Sequence, residues 1–421
     1  SKIHILPSGI ANKIAAGEVV QRPANVVKEL VENAIDAKAL HIGVHVHDAG
    51  KVSIQVIDDG EGMTEDDARM AFRRHATSKI STSDDLENIR TLGFRGEALA
   101  SIGAVAQVEL KTRTESDELA TLVRVEGDEL REVTKVAGPK GSAVLVKNLF
   151  FNTPARRSFL KTRATELKNI TDVVTRMAIA YPEVAWQYSS DEEVLLDVPA
   201  SSAEDRVRNV FGERQRDALL PVRESSGFLS AEGFVGKPDF VRKNRVDQYL
   251  FLNRRYIVNR AINHAVFQAY EHLMVKGSYP FYILHLAVDP RRIDVNVHPS
   301  KLEVKFDNES AVYRFVLITV RKVLALHDGI PRMTVESGAE MGNTEAKLRF
   351  GGRTPADPGM NVGVNGPGRL IDDRMPVGQF DLDALFARRR TADGSVTQPM
   401  EIDRPEAETG ERIVPHEARP A

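Results

Sequence analysis

The chain has 421 residues, 42% hydrophobic and 28% charged, so it exceeds a usual single domain and has ample material for buried cores. It contains no cysteine, which excludes a disulfide scaffold, a thiolate zinc site and a cysteine nucleophile, and is compatible with a reducing compartment. Basic and acidic residues nearly balance, 57 against 60, and no export signal or membrane span is visible: Ser1-Lys2-Ile3-His4-Ile5-Leu6-Pro7 is short and soon broken.

The first strong pattern is Lys28-Glu29-Leu30-Val31-Glu32-Asn33-Ala34-Ile35-Asp36-Ala37. Pro23, favoured at a first helical position, predicts the start of a helix whose apolar stripe is Val27, Leu30, Val31 and Ala34. Glu29 and Asn33, spaced i,i+4, then share another face. A carboxylate can order an attacking water and an amide oxygen is a hard ligand suited to magnesium, although the same pair also fits a solvated polar face. Next, Val52, Ile54 and Val56 alternate with Ser53, Gln55 and Ile57 as in a half-buried strand that runs into Asp58-Asp59-Gly60-Glu61-Gly62-Met63. Asp58 could accept a hydrogen bond from an exocyclic amine such as that of adenine, while Gly60 and Gly62 let the backbone approach a flat ring. An Asp-Gly hairpin is the competing reading, and a calcium loop a weaker one for lack of alternating ligands.

Two further segments suit phosphate. Arg73-Arg74-His75-Ala76-Thr77-Ser78-Lys79 gathers hydroxyls and cations, with Lys79 the natural charge partner. Gly93-Phe94-Arg95-Gly96-Glu97-Ala98-Leu99-Ala100-Ser101-Ile102 has a glycine-rich start feeding a helix, where backbone amides can converge on an anion; it is not a Walker A loop, and a lone Gly-x-x-Gly is more often a tight turn than a phosphate site.

In this order the four segments resemble the GHKL class of ATPases. With Ile14-Ala15-Ala16-Gly17-Glu18-Val19-Val20, Arg22-Pro23 and Asn152-Thr153-Pro154-Ala155-Arg156-Arg157, residues 1–330 are similar to the MutL family of DNA mismatch-repair proteins. The resemblance implies an α+β chain: a GHKL (Bergerat) α/β-sandwich ATPase domain over residues 1–215 and a ribosomal-protein-S5-like transducer domain over 216–330, while the mixed Gly, Pro, Asp, Glu and Arg beyond, as at Gly351-Gly352, Pro355, Pro358 and Gly366-Pro367-Gly368, reads as a disordered tail over 331–421. It implies ATP and Mg2+ as cofactors, Glu29 as general base, Asn33 as magnesium ligand and Asp58 as adenine reader, with Gly62 shaping the base pocket. Thr77, Ser78 and Lys79 belong to the lid, and Gly93, Phe94, Arg95, Gly96, Glu97, Ala98 and Leu99 enclose the phosphates; Arg95 and Glu97 can instead hold the lid in shape. Gly141-Ser142-Ala143 departs from the usual glycine-threonine at the back of the pocket, but Ser142 keeps the hydroxyl. Asp294-Val295-Asn296-Val297-His298-Pro299-Ser300-Lys301 matches the loop that reaches the nucleotide, so Lys301 pairs with the terminal phosphate and His298 reads as structural.

The implied activity is slow hydrolysis in which ATP orders the lid and brings N-terminal domains together, coupling the mismatch-recognition protein MutS to a downstream nuclease or helicase in the cytoplasm, at the nucleoid in a bacterium. A non-hydrolysing DNA-binding scaffold with a retained fold is the alternative. Net charge is −4 over residues 1–150, +4 over 151–330 and −3 over 331–421, making the middle region the expected DNA face, through Arg156, Arg157, Arg242, Lys243, Arg254, Arg255 and Arg260. There a strand is expected near Gln248–Leu252, a helix through Ile262 to Met274 and a strand over Tyr282 to Val288. Within the tail, Gln379-Phe380-Asp381-Leu382-Asp383-Ala384-Leu385-Phe386 reads either as a docking peptide for a sliding clamp or as a transient helix. No counterpart of the family's C-terminal dimerisation domain, in many members a metal-dependent endonuclease, is expected within these residues, so no endonuclease is assigned to them.

Overall fold

The computed structural model describes residues 8–80, 82, 91–93, 95–245, 247–294 and 304–327. Helix α1 (Ser8–Val19) leads into α2 (Pro23–Asp36). Pro23 opens α2, and the Asn25 carboxamide oxygen accepts from the Arg22 N–H at 3.1 Å, satisfying a donor just before the helix. Val27, Leu30, Val31 and Ala34 are buried as the spacing requires, leaving Glu29 and Asn33 half-buried on another face. Strands β1 (His41–His47) and β2 (Ser53–Asp58) follow, antiparallel. Val52 falls outside β2 and is 46% exposed, because its N–H closes the connection onto His47 O at 3.3 Å.

Short α3 (Glu65–Met70) and α4 (Ala98–Val105) precede β3 (Gln107–Arg113), β4 (Ala120–Glu126), β5 (Glu129–Val136) and β6 (Gly141–Lys147). After α5 (Pro154–Ser158) and α6 (Arg163–Ala180), β7 (Ala185–Ser190) and β8 (Glu193–Val198) complete an eight-stranded sheet of order β5-β4-β3-β6-β2-β1-β7-β8, parallel only at β1–β7. Alternation along the strands buries Ile42, Val44, Val46, Ile54, Val56, Val108 and Leu110 in a core shared with Leu30 of α2, Ile102 of α4 and Val174 of α6. Each such side chain contributes about 1.5–3 kcal/mol by leaving water.

Helices α7 (Ala203–Phe211) and α8 (Glu213–Asp217) lead to a five-stranded sheet. It comprises β9 (Leu219–Ser226), β10 (Leu229–Gly236), β12 (Gln248–Leu252), β13 (Arg255–Tyr256) and β15 (Tyr282–Val288), ordered β13-β12-β15-β10-β9; β11 (Val241–Arg242) pairs apart from it with β14 (Tyr279–Pro280). Helices α9 (Arg260–Ala269) and α10 (Glu309–His327) share a core with Leu250, Leu252, Leu284 and Leu286. The alternate residues Tyr249, Phe251, Phe281 and Ile283 join the core of the first sheet, where Phe211 meets Tyr249 and Phe281 at 5.6 and 5.5 Å. The helix expected to run to Met274 stops at Ala269: Tyr270 is fully buried with its hydroxyl on Gly236 O, and residues 271–273 are exposed, so no apolar stripe continues. The expected strands at Gln248–Leu252 and Tyr282–Val288 are present with those bounds.

Candidate functional site

Strand register builds one wall of the site. Asp58, the last residue of β2, lies opposite Ser142 of β6, which lies opposite Thr112 of β3, so the three side chains form a row across the sheet. The Ser142 and Thr112 hydroxyls are hydrogen-bonded at 2.9 Å, and Thr112 Oγ1 also accepts from the Met63 N–H at 2.9 Å. Asp58 Oδ1 accepts from the N–H groups of Gly60 at 3.0 Å and Ser142 at 3.3 Å. Burial pushes the Asp58 carboxyl up from its ordinary value to about 6, opposed by those two bonds. Asp58-Asp59-Gly60 does not close a hairpin, because β2 pairs with β1 and β6 and the chain runs on to α3. Gly62 has φ +71° and its Cα approaches β3 so closely that a Cβ would sit 2.0 Å from Arg113 O, so only glycine fits.

The second wall is α2. Lys28 bridges Glu29 at 3.1 Å and buried Glu32 at 2.9 Å; burial works against the Lys28 ammonium, but the two carboxylates hold its pKa above the ordinary value. One turn on, Asn33 Oδ1 accepts from Lys79 Nζ at 2.9 Å, and Lys79 also pairs with Asp36 at 2.5 Å. Asp36 additionally accepts the N–H groups of Leu92 at 2.9 Å and Gly93 at 3.0 Å. Lys79, Asn33, Asp36 and Gly93 therefore converge. Among the described residues no group of three His, Cys, Asp or Glu could hold a metal alone. Asn33 Oδ1 is a single hard oxygen, which fits magnesium only when phosphate oxygens supply other ligands.

The other sequence candidates separate. Thr77 Oγ1 accepts the Lys79 N–H at 3.1 Å and shapes that turn, whereas Ser78 and Arg95 are exposed. Gly96 has φ +60° and presses on Ala76 O; Glu97 faces His75 at 3.3 Å and Arg74 at 3.6 Å, tying the two glycine- and cation-rich segments together. Ala98 begins α4 and Leu99 packs on the core. Phe94, His298, Lys301 and Gln379–Phe386 lie outside the described residues.

Of the basic residues, Arg157, Lys243 and Arg260 are exposed. The others are occupied in the fold. Arg156 donates to Lys13 O at 2.9 Å and packs on Gly17; Arg242 pairs with Asp247 at 2.6 Å and lies over Phe240 at 4.2 Å. Arg254 pairs with Glu183 over the Tyr181 ring, and Arg255 donates to Thr91 O and Leu92 O. Thr112, Asp36 and Lys28 join the site although the sequence reading assigned them no role. Lys28 and Asp36 both stand in the quoted helix motif, beside Glu29 and one turn after Asn33, whereas nothing near Thr112 carried a signal.

The family model described as histidine kinase-, DNA gyrase B- and HSP90-like ATPase matches residues 21–140, and that for the C-terminal domain of DNA mismatch repair protein matches 207–325. The DNA mismatch repair protein MutL of Christiangramia forsetii is 47% identical over 339 residues, 80% of this chain and 55% of that protein. MutL of Prosthecochloris aestuarii is 50% identical over 330 residues, 78% of this chain and 53% of that protein. The chain belongs to the MutL family. It spans about half the length of the curated MutL relatives it matches. The crystal structure of the N-terminal domain of a DNA repair protein aligns with TM-score 0.66 and 25% identity, over 76% of this chain and 99% of that one. The ATPase domain of the bacterial mismatch repair endonuclease MutL from Aquifex aeolicus, 24% identical with TM-score 0.51 over 73% of this chain and 99% of that one, shares the fold. The eight-stranded sheet with α2 and α4 on its core side is thus a GHKL-type MutL ATPase fold. No helix among the described residues is long and apolar enough to cross a membrane.

Proposed function

We propose that this chain binds ATP with Mg2+ and hydrolyses it slowly, and that the bound nucleotide switches its contacts in DNA mismatch repair. The observation that carries this reading is the convergence of Asn33, Asp36, Lys79 and Gly93 at one end of α2, with the Asp58–Ser142–Thr112 row forming the other wall. Asp58 accepts the adenine amine. Asn33 Oδ1 holds the magnesium ion, which when bound neutralises phosphate charge. Glu29, kept oriented by Lys28, orders the attacking water, while Lys79 leaves Asn33 for the phosphates and Lys301 supports the charge that develops on the terminal one.

In this reading residues 1–215 form the ATPase domain and 216–330 the transducer, and ordering of the lid associates two N-terminal domains. The partners are MutS, a downstream nuclease or helicase, and DNA, held by exposed Arg157, Lys243 and Arg260; residues 379–386 offer a clamp-binding peptide, and the working compartment is the cytoplasm. The test is magnesium-dependent ATP turnover and nucleotide binding by wild type and Glu29→Ala. Glu29→Ala should keep nucleotide within about threefold and lose turnover by about 100-fold, the scale of general-base catalysis. Equal turnover in both would remove Glu29 as the base, and no nucleotide affinity in the wild type would leave a passive scaffold.

A further inference from the structure

Strands β12 and β13 form a hairpin whose two turn residues, Asn253 and Arg254, both have positive φ, 47° and 69°. Such a turn matches the natural twist of paired strands, but an arginine there is strained and has to be held. It is: Arg254 pairs with Glu183, donates to Ala180 O at 3.3 Å and lies 4.3 Å over the Tyr181 ring, all at the C-terminal end of α6. The Asn253 carboxamide exchanges two hydrogen bonds with Val288 of β15, at 2.8 and 2.9 Å. Arg176 of α6 covers the Tyr256 ring at 4.2 Å. The hairpin is thus fixed on α6 and β15, and it aims Arg255 at the first sheet's site.

Arg255 Nη2 donates to Leu92 O at 2.9 Å and to Thr91 O at 3.1 Å. The N–H groups of the same two peptide units, those of Leu92 and Gly93, donate to Asp36 of α2. Two successive peptides are therefore clamped between a guanidinium on their oxygens and a carboxylate on their nitrogens, with both dipoles aligned along the field. In a part-buried setting such a chain polarises cooperatively. Lys79, the cation on Asn33, rests on the same Asp36 carboxylate.

We propose that Arg255 is a positioning residue for ATP turnover: from the second sheet it sets the Thr91–Gly93 turn against Asp36, and so places Gly93 and Lys79 at the phosphate end of the site. This rests on the nucleotide reading above, but its geometric half can be tested without nucleotide. Amide hydrogen exchange is measured on the full chain as wild type, Arg255→Met and Arg255→Lys, alongside kcat and KM for ATP. In Arg255→Met the Leu92 and Gly93 amides should exchange about tenfold faster, as befits loss of charge-assisted bonds, while the β15 amides stay protected. Turnover should fall about tenfold with the ATP KM within about twofold, because the base pocket is untouched, and Arg255→Lys should recover part of both effects. In Arg255→Met/Asp36→Asn the loss of amide protection should be less than additive, because both residues act on one turn. Unchanged exchange at Leu92 and Gly93, or altered exchange with unaltered kcat, overturns the proposal. If Arg255→Met also loses β15 protection, Arg255→Lys carries the test. Absence of turnover in the wild type refutes the nucleotide reading, and the exchange result still decides the clamp.

Discussion

Asp58→Asn should stabilise the protein while ruining its nucleotide site. Folded Asp58 has its pKa raised by burial from 3.8 to about 6. Below about pH 3.8 the group is protonated in both folded and unfolded chains and costs nothing; as pH rises through 3.8 to 6 the unfolded chain releases the proton first, and stability is lost; above 6 the loss is complete. The shift of roughly two units corresponds to about 3 kcal/mol. Asparagine keeps an oxygen to accept from Gly60 and Ser142 but carries no charge to bury. Urea melts at pH 4 to 8 should show Asp58→Asn near wild type at pH 4, with an advantage that grows through pH 6 and levels at about 3 kcal/mol. In the same variant, adenine-nucleotide affinity should fall by about 100-fold, because the remaining amide nitrogen presents a donor to another donor. A stability difference independent of pH, or a variant weaker than wild type at pH 7.5, would refute the assignment of buried charge to this carboxylate.

Lys79 donates to Asn33 Oδ1, the oxygen proposed above as the magnesium ligand, so Lys79→Met should lower the Mg2+ concentration that half-saturates binding at fixed ADP by about fivefold; an unchanged titration would show that Lys79 does not compete for Asn33. Arg206 is fully buried and donates to Pro182 O, Val184 O and Pro199 O at 2.6–2.9 Å, with burial lowering its pKa to about 10. Arg206→Met relieves one desolvated cation but takes a donor from three carbonyls, of which Pro182 O keeps the Ser201 N–H at 2.9 Å, a net loss of about 2 kcal/mol in a denaturant melt; an equal or higher midpoint would mean that desolvation is the larger effect. Among the basic candidates, Glu substitution at Arg157, Lys243 or Arg260 should each reduce the salt slope of DNA affinity by about one. The same slope for wild type and a triple variant would place the DNA elsewhere.

How far the sequence is legible depends on whether partners are local. Glu29 and Asn33 are read from one helix, because the stripe Val27, Leu30, Val31 and Ala34 fixes their face, and strands Gln248–Leu252 and Tyr282–Val288 follow from apolar runs alone. The Asp58–Ser142–Thr112 row is not local: it exists only once β2, β6 and β3 are in register, and no spacing in the chain announces Thr112. Asp36 stands inside the motif, yet its partners are 43 to 57 positions away.

The basic pairs show a different limit. Charge alone treats both members of a pair as available to phosphate, but neighbouring side chains diverge, by about 100° on a helix and to opposite faces on a strand, so a pair beside a core sends one cation inward. Arg156 turns in to Lys13 O while Arg157 stays exposed, and Arg242 lies on Phe240 while Lys243 is free to face solvent. At Arg254-Arg255 even the outward member is spent, because its left-handed backbone needs the Glu183 and Tyr181 contacts. The net +4 of residues 151–330 therefore overstates the cationic surface, and two of the guanidiniums it hides, Arg254 and Arg255, tie the second sheet to α6 and to the Thr91–Leu92 peptides.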